Sequence, residues 1–103
     1  MYIVIFKAVV RQTDDDYRET AAKLRMVAES FGCTGFESTC ENGHEIALSY
    51  WPDLESIRKW KQQSDHLIAQ QKGKSRWYSS YTVEIAEITR AYSNPPDAKK
   101  KSL

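Results

Sequence analysis

Residues 35–51 read Gly-Phe-Glu-Ser-Thr-Cys-Glu-Asn-Gly-His-Glu-Ile-Ala-Leu-Ser-Tyr-Trp, two strand-like runs joined by a turn. The runs are Gly35 to Cys40 and His44 to Trp51, separated by Glu41-Asn42-Gly43. An Asn-Gly pair tolerates the positive φ angles of a tight hairpin, so the two runs are expected to pair antiparallel. In the second run Ile46, Leu48 and Tyr50 alternate onto one face, while Ala47 and Trp51 keep the other partly apolar. A strand with apolar side chains on both faces has to be covered on both sides.

The same reasoning extends in both directions from the hairpin. Upstream, Tyr2 to Val10 is rich in β-branched and aromatic residues on both faces of a two-residue period, which predicts another doubly covered strand. Thr13 with Asp14, Asp15 and Asp16 offers an oxygen cap and acidic groups to the start of a helix. Tyr17, Ala21, Leu24, Ala28 and Phe31 then recur at helical spacing, and Gly32 supplies a left-handed end. Downstream, Pro52 ends the hairpin and Asp53 caps a short helix bearing Leu54, Ile57 and Trp60. Ser64-Asp65 reads as a second cap, so the second helical region is expected to break in two and restart towards Trp77 and Tyr78. A final strand is predicted over Tyr81 to Tyr92, and residues 93–103, with Pro95-Pro96 and three successive lysines, read as a flexible tail on a domain of residues 1–92.

The order β-α-β-β-α-β is the ferredoxin-like, split-βαβ arrangement, an α+β fold with a four-stranded antiparallel sheet and both helices on one face. Apolar residues on the other face then need a partner, and a two-fold homodimer with sheet against sheet is the simplest one. With 103 residues there is room for one hydrophobic core. Hydrophobic and charged shares of 41% and 28% are those of a soluble globular protein, and a net charge of +1 gives no global attraction to nucleic acid or membrane. Cys33 and Cys40 lack metal-ligand spacing and are expected as free thiols in a reducing cytoplasm.

The densest group of polar-tipped aromatics runs from Tyr50 to Tyr81 and includes Trp51, Trp60, Trp77 and Tyr78, with His66 among them. Such rings wall ligand cavities because they offer flat apolar area at low entropy cost, and they also build ordinary cores. His66, near the expected second cap, has the chemistry of a general base, a hydrogen-bond donor or a metal ligand. Lys7 interrupts an apolar strand and either enters a cavity or snorkels at a sheet edge. There is no phosphate-cradling glycine loop, no cysteine and histidine zinc pattern and no nucleophile elbow.

At Ser49-Tyr50-Trp51, the helix Asp53 to Trp60, His66 and Trp77-Tyr78-x-x-Tyr81, the chain resembles small members of the antibiotic-biosynthesis-monooxygenase superfamily, over nearly all of residues 1–92. The resemblance implies a ferredoxin-like protomer, a homodimeric α/β barrel and a cavity between each sheet and its helices. It also implies an oxygenase, a quinol oxygenase or a haem-degrading enzyme. Trp60 looks equivalent to the helix tryptophan of the oxygenase cavities. The asparagine that haem degraders carry on the first strand has no counterpart among Phe6, Lys7 and Ala8, and Gln70-Gln71 stands near the place of their proximal histidine.

The leading expectation is therefore a small monooxygenase that binds a flat aromatic or quinol-like molecule without a tightly bound metal or cofactor. Trp60 and His66 are the catalytic candidates, and Tyr50, Trp77, Tyr81 and Lys7 the substrate-binding ones. The first rival is a non-catalytic dimeric module that binds an apolar ligand in the same cavity. The second is haem binding through His66, expected to be weak and without ring opening.

Overall fold

The computed structural model describes residues 1–71 and 77–94, apart from the side chains of 66–71. The elements run β1 (Tyr2–Val10), α1 (Asp15–Ser30), β2 (Gly35–Glu41), β3 (His44–Trp51), α2 (Leu54–Gln71) and β4 (Tyr78–Glu87). This is the expected βαββαβ order, and the four strands form one antiparallel sheet in the order β2-β3-β1-β4.

Local chemistry sets each boundary. The β2–β3 hairpin turns through Asn42 (φ 53°) and Gly43 (φ 79°), both left-handed as the Asn-Gly signal demands. The N-cap of α1 is Asp14, one residue after Thr13, and its carboxylate accepts from the Tyr17 amide at 2.8 Å. At the other end Gly32 takes φ 107°, with its amide on the Glu29 carbonyl and the Cys33 amide on the Ala28 carbonyl. Those two bonds make a Schellman close that satisfies carbonyls the helix would leave unpaired.

Two boundaries differ from the sequence expectation. The second helix is continuous, because Ser64 does not cap a new segment. Its hydroxyl donates to the Trp60 carbonyl at 2.8 Å, and Asp65 pairs with Lys61 one turn back at 2.7 Å. Both polar side chains are thus satisfied inside a helix. The last strand is Tyr78–Glu87, displaced towards the N-terminus from the expected Tyr81 to Tyr92. Its template explains the shift: β1 pairs Val10 with Tyr78 and Tyr2 with Glu87, and the last rung is the Ile88 amide on the Met1 carbonyl. Ser93 and Asn94 belong to no helix or strand, and residues 95–103 lie outside the described residues.

Strand register separates the two faces of the sheet. Val4 stands between Ser49 and Ile85, Phe6 between Ala47 and Val83, and Ala8 between Glu45 and Tyr81. These side chains face the helices. Ile3, Ile5, Lys7, Ile46, Leu48 and Tyr50 fall on the opposite face. The core forms on the helix side from Val4, Ala28, Trp51 and Ile57, with Tyr2, Phe31, Cys33 and Trp60 packed around them. Trp51 has no exposed surface, its indole N–H reaches the Ser49 hydroxyl at 2.8 Å, and its ring lies 5.0 Å from that of Trp60.

Truncating Trp51 to alanine removes the largest fully buried side chain and leaves the Ser49 hydroxyl without its donor. Urea denaturation of Trp51→Ala is expected to read a loss of about 3–5 kcal/mol. A loss below about 1 kcal/mol would mean that the core does not centre on this residue.

Candidate functional site

Between the helix-facing side of the sheet and the two helices lies a cavity of about 420 Å³. That volume is within the roughly 300–1,000 Å³ of small-molecule sites. Val4, Phe6, Ala47 and Ser49 form its floor, with Phe36 and Ser38 to one side and Val83 and Ile85 to the other. Ala21 and Leu24 from α1 and Ile57, Trp60 and Ser64 from α2 form its roof. Many of these side chains are short, and the space between sheet and helices exists because they do not fill it.

At one end the lining becomes aromatic and polar. Phe6 stacks on Tyr81 with centroids 5.8 Å apart and meets Tyr78 edge-on at 5.4 Å. Tyr17 stands edge-on to Tyr78 at 6.1 Å and to Trp77 at 5.4 Å. The Tyr17 hydroxyl donates to Glu45 Oε1 at 2.5 Å. Burial, then the hydrogen bond to Glu45, pushes the Tyr17 hydroxyl far above the ordinary tyrosine range. Burial, then the nearby Glu45 charge, pushes Tyr78 up to about 12, against an opposing contribution from the Tyr17 hydrogen bond. Both phenols are therefore neutral donors at physiological pH. At the other end Arg25 lies over the Phe36 ring at 4.6 Å and donates to the Ser38 hydroxyl at 2.6 Å.

The residues singled out from the sequence do not all meet here. Trp60 lines the cavity, and its indole N–H points at the Leu24 carbonyl at 3.3 Å. Tyr81 lines it too. Trp77 is buried behind Tyr17, with its N–H on the Asp14 carboxylate at 3.2 Å, so it buttresses the wall and is not part of the lining. Tyr50, opposite Ile3 and Gly35, and Lys7, opposite Ile46 and Thr82, lie on the other face of the sheet. Within one protomer neither shares the cavity with Trp60. His66 is on α2, and its side chain lies outside the described residues.

Tyr17 and Glu45 carry the polar end and were not singled out from the sequence. Tyr17 read as one more apolar position of an amphipathic helix. Glu45 did leave a signal, since it shares the two-residue period of Ala47 and Trp51 and so puts a carboxylate on a covered face. Among the described residues no group of three or more His, Cys, Asp or Glu side chains is placed to hold a metal ion. Cys33 and Cys40 are free thiols.

A ferredoxin-like sheet roofed by two helices, with a largely apolar cavity between them, defines a class of small α+β proteins. Comparison with known proteins narrows it. No family model matches the chain. It is 38% identical over 91 residues to the uncharacterized protein YqjZ of Bacillus subtilis, covering 86% of this chain and 80% of that one. It is 28% identical over 96 residues to the jasmonate monooxygenase ABM of Pyricularia oryzae, covering 86% of this chain and 44% of that one. The chain thus spans less than half the length of that monooxygenase. Among solved structures, SnoaB of Streptomyces nogalater, a cofactor-independent oxygenase, superposes with a TM-score of 0.71 at 8% identity over 90% of this chain and 97% of its own. The chain belongs to the same family as YqjZ, and its fold is that of the antibiotic biosynthesis monooxygenases among solved structures.

The raised tyrosine pKa values make stability fall at high pH. In the unfolded chain a tyrosine ionises near about 10, whereas Tyr78 in the fold holds its proton to about 12. The unfolded state then releases protons first, so the contribution is complete below pH ~10 and is lost as pH rises through about 12. Denaturation midpoints taken from pH 8 to 12 are expected to fall over that window, and less steeply in Tyr78→Phe. An unchanged slope in the variant would contradict the assignment.

Proposed function

We propose that this protein is a small monooxygenase that takes a flat aromatic or quinol-like molecule into the cavity beneath α1 and α2 and oxidises it with dioxygen, without a tightly held metal or cofactor. The observation that carries this reading is the cavity itself: about 420 Å³, walled by Trp60 and Tyr81, with polar groups gathered at its ends. A flat ring fits between apolar walls. Loss of a ring hydroxyl proton raises the electron density that reaction with dioxygen requires. His66 is the candidate for accepting that proton, Tyr81 the candidate for hydrogen-bonding the phenolic oxygen, and Trp60 orients the ring. SnoaB, described as a cofactor-independent oxygenase, supports the reading through shared fold alone.

The active form in this proposal is a two-fold homodimer in which the outer sheet faces pack together. Ile3, Ile5, Ile46, Leu48 and Tyr50 form an apolar patch there, and Ile46 is 40% exposed. An uncovered patch of this kind is unusual in a monomer, and closed two-fold pairs are the commonest oligomers. Lys7 and Tyr50 then belong to the interface. No helix among the described residues is long and apolar enough to cross a membrane. The proposed compartment is a reducing cytoplasm, which two free cysteines fit.

Oxygen-electrode traces with a panel of hydroquinones and anthrones are expected to show uptake above the buffer rate, reduced at least about ten-fold in Trp60→Ala and in His66→Ala. Rates indistinguishable from buffer across the panel, together with ligand-dependent rises in melting temperature, would replace the enzyme by a binding module. Light scattering at micromolar concentration is expected to give twice the 11.9 kDa of the chain. A mass of one chain would remove the dimer.

A further inference from the structure

The aromatic end of the cavity contains a charged group to which the sequence assigned no role. Glu45 sits on β3 opposite Ala8 and Cys40, on the helix-facing side, half-buried among the rings of Phe6, Tyr17, Tyr78 and Tyr81. Its Oε1 accepts the Tyr17 hydroxyl at 2.5 Å. Among the described residues no ion pair neutralises it, in contrast to Asp15, Glu55 and Asp65, each of which has a basic partner on its own helix. A carboxylate offers about four acceptor positions, and one phenol occupies one of them. The remaining capacity belongs to a group that borders the cavity, and Tyr17 restrains its direction. Trp77 in turn restrains Tyr17 by edge-on packing, and the Trp77 N–H is tied to Asp14.

We propose that Glu45 selects the ligand: the molecule that enters the cavity is a flat ring system bearing a phenolic or enolic hydroxyl, and that O–H donates to the Glu45 carboxylate while Tyr17 acts as a positioning residue. The inference deepens the cavity reading above and rests on it. Three features favour a hydroxyl. An acidic ligand group placed beside Glu45 would be repelled, and the cations of the lining lie elsewhere, Arg25 over Phe36 and Lys61 paired with Asp65. An ammonium would have to leave water for a largely apolar chamber, at a desolvation cost that a single carboxylate offsets poorly. A neutral hydroxyl escapes both penalties and gains a charge-assisted hydrogen bond, roughly twice as strong as a neutral one. The proton stays on the ligand oxygen in the bound state. The two phenols beside it hold their own protons, since burial raises both above the ordinary tyrosine range, so each remains a donor. The groups facing Glu45 are therefore Tyr17 from α1, Cys40 from β2, and Tyr78 and Tyr81 from β4.

Calorimetric titration of the full chain at pH 7 with naphthol, its methyl ether, naphthylamine and naphthoate tests this. Wild type is expected to bind naphthol about 10- to 100-fold more tightly than the ether, the range expected for a hydrogen bond to a charged group. Naphthoate is expected to bind more weakly than the ether. In Glu45→Gln the preference for naphthol should fall to within about three-fold, with the affinity for the ether unchanged as proof that the cavity is intact. Tyr17→Phe should reduce the preference without removing it, again leaving the ether unaffected. Equal binding of naphthol and ether by wild type, tighter binding of naphthylamine than of naphthol, or a preference that survives Glu45→Gln would each overturn the inference and leave the cavity reading standing. If wild type bound none of the four, the cavity reading would fall and this inference with it.

Discussion

The antiparallel register between β1 and β3 decides which side chains meet the helices. Ser49 opposite Val4, Ala47 opposite Phe6 and Glu45 opposite Ala8 put one half of each strand under α1 and α2. Strand side chains alternate, so slipping this pairing by one residue would carry Trp51 out of the core and bring Tyr50 into it. Trp51, with no exposed surface and its N–H on Ser49, opposes that slip most strongly. The hairpin turn adds a second restraint from the other end, because Asn42 and Gly43 fix the loop that sets β2 against β3. Every later element is placed against this pair of strands.

Much of the fold was legible because it depends on period and punctuation. The limits of β1, the Asn-Gly turn, the Gly32 close and the order of elements all follow from signals a few residues long. The two misread boundaries depend on partners that a local reading does not see. Ser64 and Asp65 resemble a cap by composition, yet inside α2 each finds its partner one turn back. The start of β4 carries Ser79 and Ser80, weak strand formers, and is extended because β1 holds it. The site was less legible for the same reason. Trp60 and Tyr81, singled out by residue type and resemblance, line the cavity, but the face on which Tyr50, Lys7 and Glu45 lie follows only from pairing register.

The two faces of the sheet meet the same physical requirement in different ways. On the helix side α1 and α2 cover β1 and β3, short residues such as Ala21, Ala47 and Ser49 leave that cover incompletely filled, and Tyr81, Val83 and Ile85 on the edge strand β4 remain 42%, 44% and 48% exposed. On the other side Ile46 and Val9 remain 40% and 36% exposed, and nothing within the described residues covers them. In the function proposed above, the apolar surface of the second face is where two chains associate, and the space on the first is where the small molecule sits. A sheet of this kind can thus serve assembly and binding with opposite faces of the same strands, and a substitution on one strand acts on one or the other according to its parity.

The cavity also shows why its polar groups stand at the ends. A buried hydroxyl or carboxylate needs a partner, and partners along the middle of the chamber would have to come from residues whose shortness creates the space. At the end, the loop before α1 and the first residues of β3 and β4 converge, so Asp14, Tyr17, Glu45, Trp77 and Tyr78 form one connected set of hydrogen bonds and edge-on ring contacts. That set tolerates a charge because phenol and indole groups surround it with donors and ring edges. In the binding mode proposed above, a ring system with a single polar substituent is oriented by that division, since Glu45 is held at one end without a basic partner among the described residues, whereas Asp65, the other carboxylate of the lining, is paired with Lys61.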